Sequence, residues 1–113
     1  MDAERARELL ARERKRIEQE LGSLRASRGD GELSDIDQHT ADSGTELFEV
    51  ERDRSMIDRL SGELLAIERA EQRLEDGTYG VSVESGEPIP DGRLEAVPWA
   101  ERTAQEQSRV DAR

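Results

Sequence analysis

The sequence predicts a mainly α protein: a long antiparallel two-helix coiled-coil hairpin, then a small globular end and a C-terminal helix. Three observations predict it. Apolar residues recur at heptad spacing in two stretches. A Gly-, Asp- and Ser-rich segment without period separates them. The composition, 33% hydrophobic, 40% charged and only 3% aromatic in 113 residues, leaves little for a deep core and suits long amphipathic helices.

The first helix is expected from about Asp2 to Ala26, a stretch with no Pro and one Gly. Leu10, Ile17 and Leu24 fall at heptad position d, and Arg7, Arg14 and Leu21 at a. Two basic a positions weaken that seam, which therefore needs other packing or a second chain. The second helix, expected from about Thr45 to Glu75, has the more regular pattern, with Val50, Ile57 and Leu64 at a and Leu60, Ile67 and Leu74 at d. Its length is about 45 Å at the usual rise per residue. Ser43 and Glu46 fit a capping box at its start, with Asp42 and Thr45 as rival caps, and Gly77 stands where a C-terminal glycine belongs.

Residues 1–76 thus read as the hairpin, with a connecting loop at about 27–44. After Gly77, the alternation Thr78-Tyr79-Gly80-Val81-Ser82-Val83 indicates a short strand or turn, and Gly86, Pro88, Pro90 and Gly92 make the following segment turn-rich. Pro98-Trp99 is expected to open a last helix at about residue 99, running from Ala100 to about Val110. Residues 108–113 read as a polar, fraying tail.

Several functions are disfavoured by composition. A net charge of −11 with a single lysine, Lys15, opposes direct binding of nucleic acid, whose phosphates require clustered cations, and favours basic protein partners. The absence of cysteine removes disulfides and thiolate metal ligation. No apolar stretch has the length of a membrane span, and the residues after Met1 do not resemble a signal peptide, so a cytoplasmic protein is expected. No nucleophile-and-base pair or phosphate-cradling loop is apparent, so no enzyme is expected. The one histidine, His39, lies among Asp35, Asp37 and Asp42, but their spacing matches no standard metal-ligand pattern.

From Gly29 to Glu51 there are eight acidic residues and no Lys or Arg. Dipole complementation and turn formation account for Asp42, Ser43 and Glu46 at the helix start. They do not account for Asp30, Glu32, Asp35 and Asp37.

Three segments carry a family resemblance: Asp37-Gln38-His39-Thr40-Ala41-Asp42-Ser43-Gly44-Thr45-Glu46-Leu47-Phe48-Glu49; Gly77-Thr78-Tyr79-Gly80-Val81; and Gly86-Glu87-Pro88-Ile89-Pro90 with Arg93-Leu94-Glu95-Ala96-Val97-Pro98-Trp99-Ala100. From about Leu9 to Gln107 the chain resembles the DksA/TraR family of bacterial transcription factors. The resemblance implies that residues 77–107 form the family's C4-type zinc finger, in degenerate form. The spacing of its two Cys-x-x-Cys pairs places Ser82, Ser85, Thr103 and Glu106 at the four ligand positions, and hydroxyls with one carboxylate are poor replacements for thiolates. Zinc is therefore not expected, nor any other cofactor. Packing by Tyr79, Val81, Ile89, Leu94, Val97 and Trp99 is expected to stabilise the finger instead.

The resemblance also implies an RNA polymerase partner, with the coiled-coil tip inserted in the enzyme's secondary channel. The family's tip motif, Asp-x-x-Asp-x-Ala, places its second Asp on Asp42, its first on His39 and its Ala on Gly44, with Asp37 as a neighbouring acid. The implied partner-binding residues are Asp35, Asp37, Asp42, Thr45 and Glu46, and a monomer fits insertion better than a dimer. Scattered arginines such as Arg93 and Arg102 cannot be assembled into a basic pocket from sequence. The alternative is a dimeric coiled-coil scaffold or stress protein that no longer binds polymerase.

Overall fold

The computed structural model describes residues 1–27 and 43–113, with the side chains of 43–49 excepted. Four helices follow in order: α1 (Ala3–Ser27), α2 (Ser43–Asp76), α3 (Asp91–Ala96) and α4 (Ala104–Asp111). The architecture is the expected antiparallel hairpin, α1 and α2, followed by a small finger-like end and a C-terminal helix.

Local chemistry sets the ends of the long helices. Asp2 caps α1, its Oδ1 accepting the Arg5 N–H at 2.8 Å and its carbonyl the Ala6 N–H at 3.1 Å. At the other end of the hairpin sequence, Gly77 adopts φ +78°, a left-handed value that costs glycine little. The Thr78 N–H then reaches the Arg73 carbonyl at 2.9 Å and the Gly77 N–H reaches that of Leu74 at 3.4 Å, the paired bonds of a Schellman stop. The Ser43 and Glu46 side chains expected to cap α2 lie outside the described residues.

The chain divides into two compact units. One comprises residues 15–64, in which Ile17, Leu21 and Leu60 are buried and Leu24, Met56, Ile57 and Leu64 are half-buried. Val50, an expected seam residue, is exposed. The other unit comprises residues 1–14 and 65–113. There Leu10, Ile67 and Ala70 are fully buried. Arg14, the basic a residue, is satisfied within the chain: its guanidinium bonds the Glu71 carboxylate from both Nε and Nη2 and also approaches Glu68. The other basic a residue, Arg7, is exposed and leaves the seam.

The finger packs its own small core in this second unit. Ile89, Leu94 and Ala100 are buried, with Met1, Tyr79 and Val97 against them. Tyr79 Oη donates to the Pro98 carbonyl at 2.7 Å, and burial raises the phenol pKa. Of the expected finger core, Val81 is exposed and Trp99 only half-buried. Ion pairs tie the finger to the helices beside it: Arg5 to Glu95 from Nε (3.2 Å) and Nη2 (3.0 Å), and Arg69 and Arg73 to Glu101 at 3.2 Å each.

The alternation from Thr78 to Val83, read as a short strand or turn, forms turns with one isolated antiparallel bridge, Val81 to Pro88. Two expectations for the C-terminal part need correction. The turn-rich segment ends in a helix that was not expected, α3, which begins at Asp91, is six residues long and buries Leu94. The last helix begins at Ala104, not near residue 99, and it runs through Asp111 into the stretch read as a tail. Tertiary bonds explain the late start. The carbonyls of Ala100, Glu101 and Arg102 accept from Arg73 Nη2, the Val83 N–H and Arg93 Nε, so the chain from 100 to 102 is held outside a helix.

Candidate functional site

The sequence points to two sites. The first is the acidic tip. Asp35, Asp37, His39 and Asp42 lie outside the described residues, and Thr45 and Glu46 fall in the first turn of α2 with side chains outside them as well. The second is the quartet Ser82, Ser85, Thr103 and Glu106, and the structure brings all four together.

Its first half is a turn. The Ser82 N–H bonds the Glu87 carbonyl at 2.8 Å and the Gly86 N–H bonds the Ser82 carbonyl at 2.9 Å, with Gly86 at φ +75°. Inside this turn Ser82 Oγ accepts the N–H groups of Glu84 (3.0 Å) and Ser85 (3.2 Å), while Ser85 Oγ accepts that of Glu87 (3.3 Å). The second half is the start of α4. Thr103 is its N-cap, and Thr103 with Glu106 completes a capping box: the Glu106 N–H bonds Thr103 Oγ1 at 3.2 Å, and the Thr103 N–H bonds Glu106 Oε1 at 3.0 Å.

Glu106 joins the halves. Ser82 Oγ donates to its Oε1 and Ser85 Oγ to its Oε2, each at 2.6 Å, the short range of hydroxyl-to-carboxylate bonds. Glu106 and Ser82 are both buried, at 6% and 4% exposure. Hydrogen bonds from Ser82, then Ser85, then the Thr103 backbone hold the Glu106 carboxyl down to about 2, against the opposing effect of burial. The negative charge also sits at a helix N-terminus, where the dipole favours it.

The quartet does not fit a zinc ion. Both serine protons are committed to the carboxylate, the Thr103 hydroxyl accepts the Glu106 N–H, and neutral hydroxyls compete poorly for zinc against Cys or His. Among the described residues no group of three or more His, Cys, Asp or Glu is placed to hold a metal ion.

Beside the quartet runs an ionic cluster that sequence order does not reveal. Glu101 lies between Arg69, Arg73 and Arg102, and Arg102 also binds Glu84 at 3.1 Å. Burial pushes the Glu101 carboxyl up, but the hydrogen bond and charge of Arg69, with the charges of Arg73 and Arg102, bring it below the ordinary value. Burial lowers the Arg73 pKa, and its buried Nε has no hydrogen-bond partner among the described residues. A cleft of about 500 Å3 runs along this cluster, lined by Arg69, Arg93, Trp99, Glu101, Arg102 and Gln107. The structure thus does assemble Arg93 and Arg102 into one cleft, although Arg102 is paired with acids and Arg93 Nε is spent on a carbonyl.

No protein-family model matches the chain. It is 37% identical over 82 residues to the RNA polymerase-binding transcription factor DksA of Caulobacter vibrioides, covering 73% of this chain and 53% of that protein. The structure of transcription factor DksA2 from Pseudomonas aeruginosa superposes with a TM-score of 0.80 at 25% identity, covering 97% of this chain and 83% of that one. The chain belongs to the DksA/TraR-like family. This DksA/TraR-like chain is also 43% identical over 83 residues to General stress protein 16O of Bacillus subtilis, covering 72% of this chain and 50% of that protein. It spans about half the length of these two sequence relatives. Among the described residues of this family member, no helix is long and apolar enough to cross a membrane.

Proposed function

We propose that the chain is a non-enzymatic regulator of transcription that binds RNA polymerase, with the tip of its hairpin inserted in the enzyme's secondary channel. The observation that carries this reading is the likeness, in sequence and over nearly the whole fold, to proteins named as DksA transcription factors, one of them RNA polymerase-binding. The acids of the connecting segment supply the electrostatics. Asp42 is the main contact residue, Asp35, Asp37 and Glu46 support it by charge, and Thr45 stands beside Glu46 in the first turn of α2. Such a cluster is drawn to a positively charged channel, with an association rate that falls as salt rises.

Capture of purified core RNA polymerase tests the reading, with the wild type beside Asp42→Ala and Asp37→Ala. The expected outcome is wild-type binding at low salt that weakens in Asp42→Ala. Absence of binding by all three proteins at low salt defeats the proposal.

A second reading, a dimeric coiled-coil scaffold or stress protein that does not bind polymerase, is favoured by the likeness to General stress protein 16O. Sedimentation separates the two. A stable dimer that fails to capture polymerase supports the scaffold, and a monomer that captures it supports the regulator.

A further inference from the structure

The geometry assigns to Glu106 the place of a structural metal ion: its carboxylate is the clasp that closes the finger between the 82–87 turn and the first turn of α4. This role is independent of any polymerase binding.

A metal at these four positions would cross-link two chain segments far apart in sequence. Glu106 makes the same cross-link, bonding Ser82 and Ser85 at sequence separations of 24 and 21 residues. The donors converge on it from both sides, with Oε1 shared by the Ser82 hydroxyl and the Thr103 N–H, and Oε2 taken by the Ser85 hydroxyl. The hydroxyls are themselves oriented by the turn, since each accepts backbone N–H groups while its proton points to Glu106. The charge logic is also inverted. A metal site gathers anions around a cation, whereas here neutral donors gather around one buried anion. Nothing in this arrangement uses a thiolate, so the clasp is indifferent to chelators.

The positions still hold the spacing of a four-thiolate site, which makes the assignment testable from both directions. Wild type, Glu106→Ala and the quadruple variant S82C/S85C/T103C/E106C are compared for zinc content, Trp99 fluorescence and cleavage rate within residues 77–113. Wild type is expected to retain no zinc after exposure to excess ion and desalting, and to keep its fluorescence and cleavage rate in a chelator. Glu106→Ala leaves both serine hydroxyls and the Thr103 N–H without their acceptor, so cleavage in the finger is expected to rise about tenfold or more. The helical circular dichroism of the hairpin should survive. The quadruple variant is expected to bind one zinc per chain and to regain wild-type protection only when loaded. One retained zinc per wild-type chain, or a finger as well protected in Glu106→Ala as in wild type, overturns the assignment. If Glu106→Ala does not fold at all, zinc-dependent folding of the quadruple variant still supports it, and failure of that variant to fold with zinc counts against it.

Discussion

Arg14 of α1 holds Glu71 of α2 with two parallel bonds, Nε to Oε2 at 3.3 Å and Nη2 to Oε1 at 2.5 Å, at seam positions of both helices. A basic residue at a core position of a coiled coil normally weakens the seam, and here it meets its acid in the same chain. Both side chains are partly exposed, at 29% and 38%, so the pair contributes modestly.

Arg14→Ala should destabilise the protein by roughly 0.5–1 kcal/mol, and a double-mutant cycle with Glu71→Ala should return a coupling of similar size. Urea unfolding followed by circular dichroism measures both. Arg14→Leu with Glu71→Leu should be neutral or stabilising, because an apolar pair removes the desolvation cost of the ions. A loss above about 3 kcal/mol in that double variant would show that the pair specifies the seam beyond its ionic energy.

The acid sensitivity of the finger should come largely from Glu106. Its folded pKa, about 2, lies below the ordinary 4.5. The carboxylate therefore contributes full stability above about pH 4.5, and that contribution is lost as pH falls from there through about 2. Glu101 and Glu95 are also lowered, Glu101 by Arg69, Arg73 and Arg102 against its burial and Glu95 mainly by its hydrogen bond to Arg5, so wild type alone does not isolate the effect. Glu106→Gln keeps the side-chain length and removes the titration. Its thermal midpoint, followed by Trp99 fluorescence, should be lower than wild type at pH 7 and fall less between pH 5 and 2. Parallel curves for the two proteins would contradict this.

Leu94 is 1% exposed and anchors α3 on Ile89 and Ala100. Leu94→Ala should cost about 2–5 kcal/mol, the range for a buried leucine whose surroundings collapse incompletely. The loss should register in Trp99 fluorescence at a lower denaturant concentration than the unfolding of the helices, because the finger's own apolar core is only a few residues. Simultaneous loss of both signals would mean that the finger and helices unfold as one unit.

The long helices were legible because their signals are local. Leu10, Ile17, Leu60 and Ile67 recur at the heptad period and are all buried, while Gly77 stops α2 where its backbone freedom is required. The finger was legible only in part. Ile89 and Leu94 are core as expected, but α3 is too short to show a period, and Thr103 and Glu106 carry two overlapping signals, the spacing of a capping box and the family's ligand spacing.

From the sequence alone follow the two long helices, their antiparallel pairing and the lack of thiolates for zinc, since periodicity and residue chemistry act over a few residues or none. Tertiary structure alone decided that Arg14 finds Glu71, and that Ser82 and Ser85 meet Glu106. The physical reason is common to both. Each depends on donors and acceptors far apart along the chain, whose hydrogen bonds form only after apolar packing has brought them within reach, and sequence spacing carries no record of that approach.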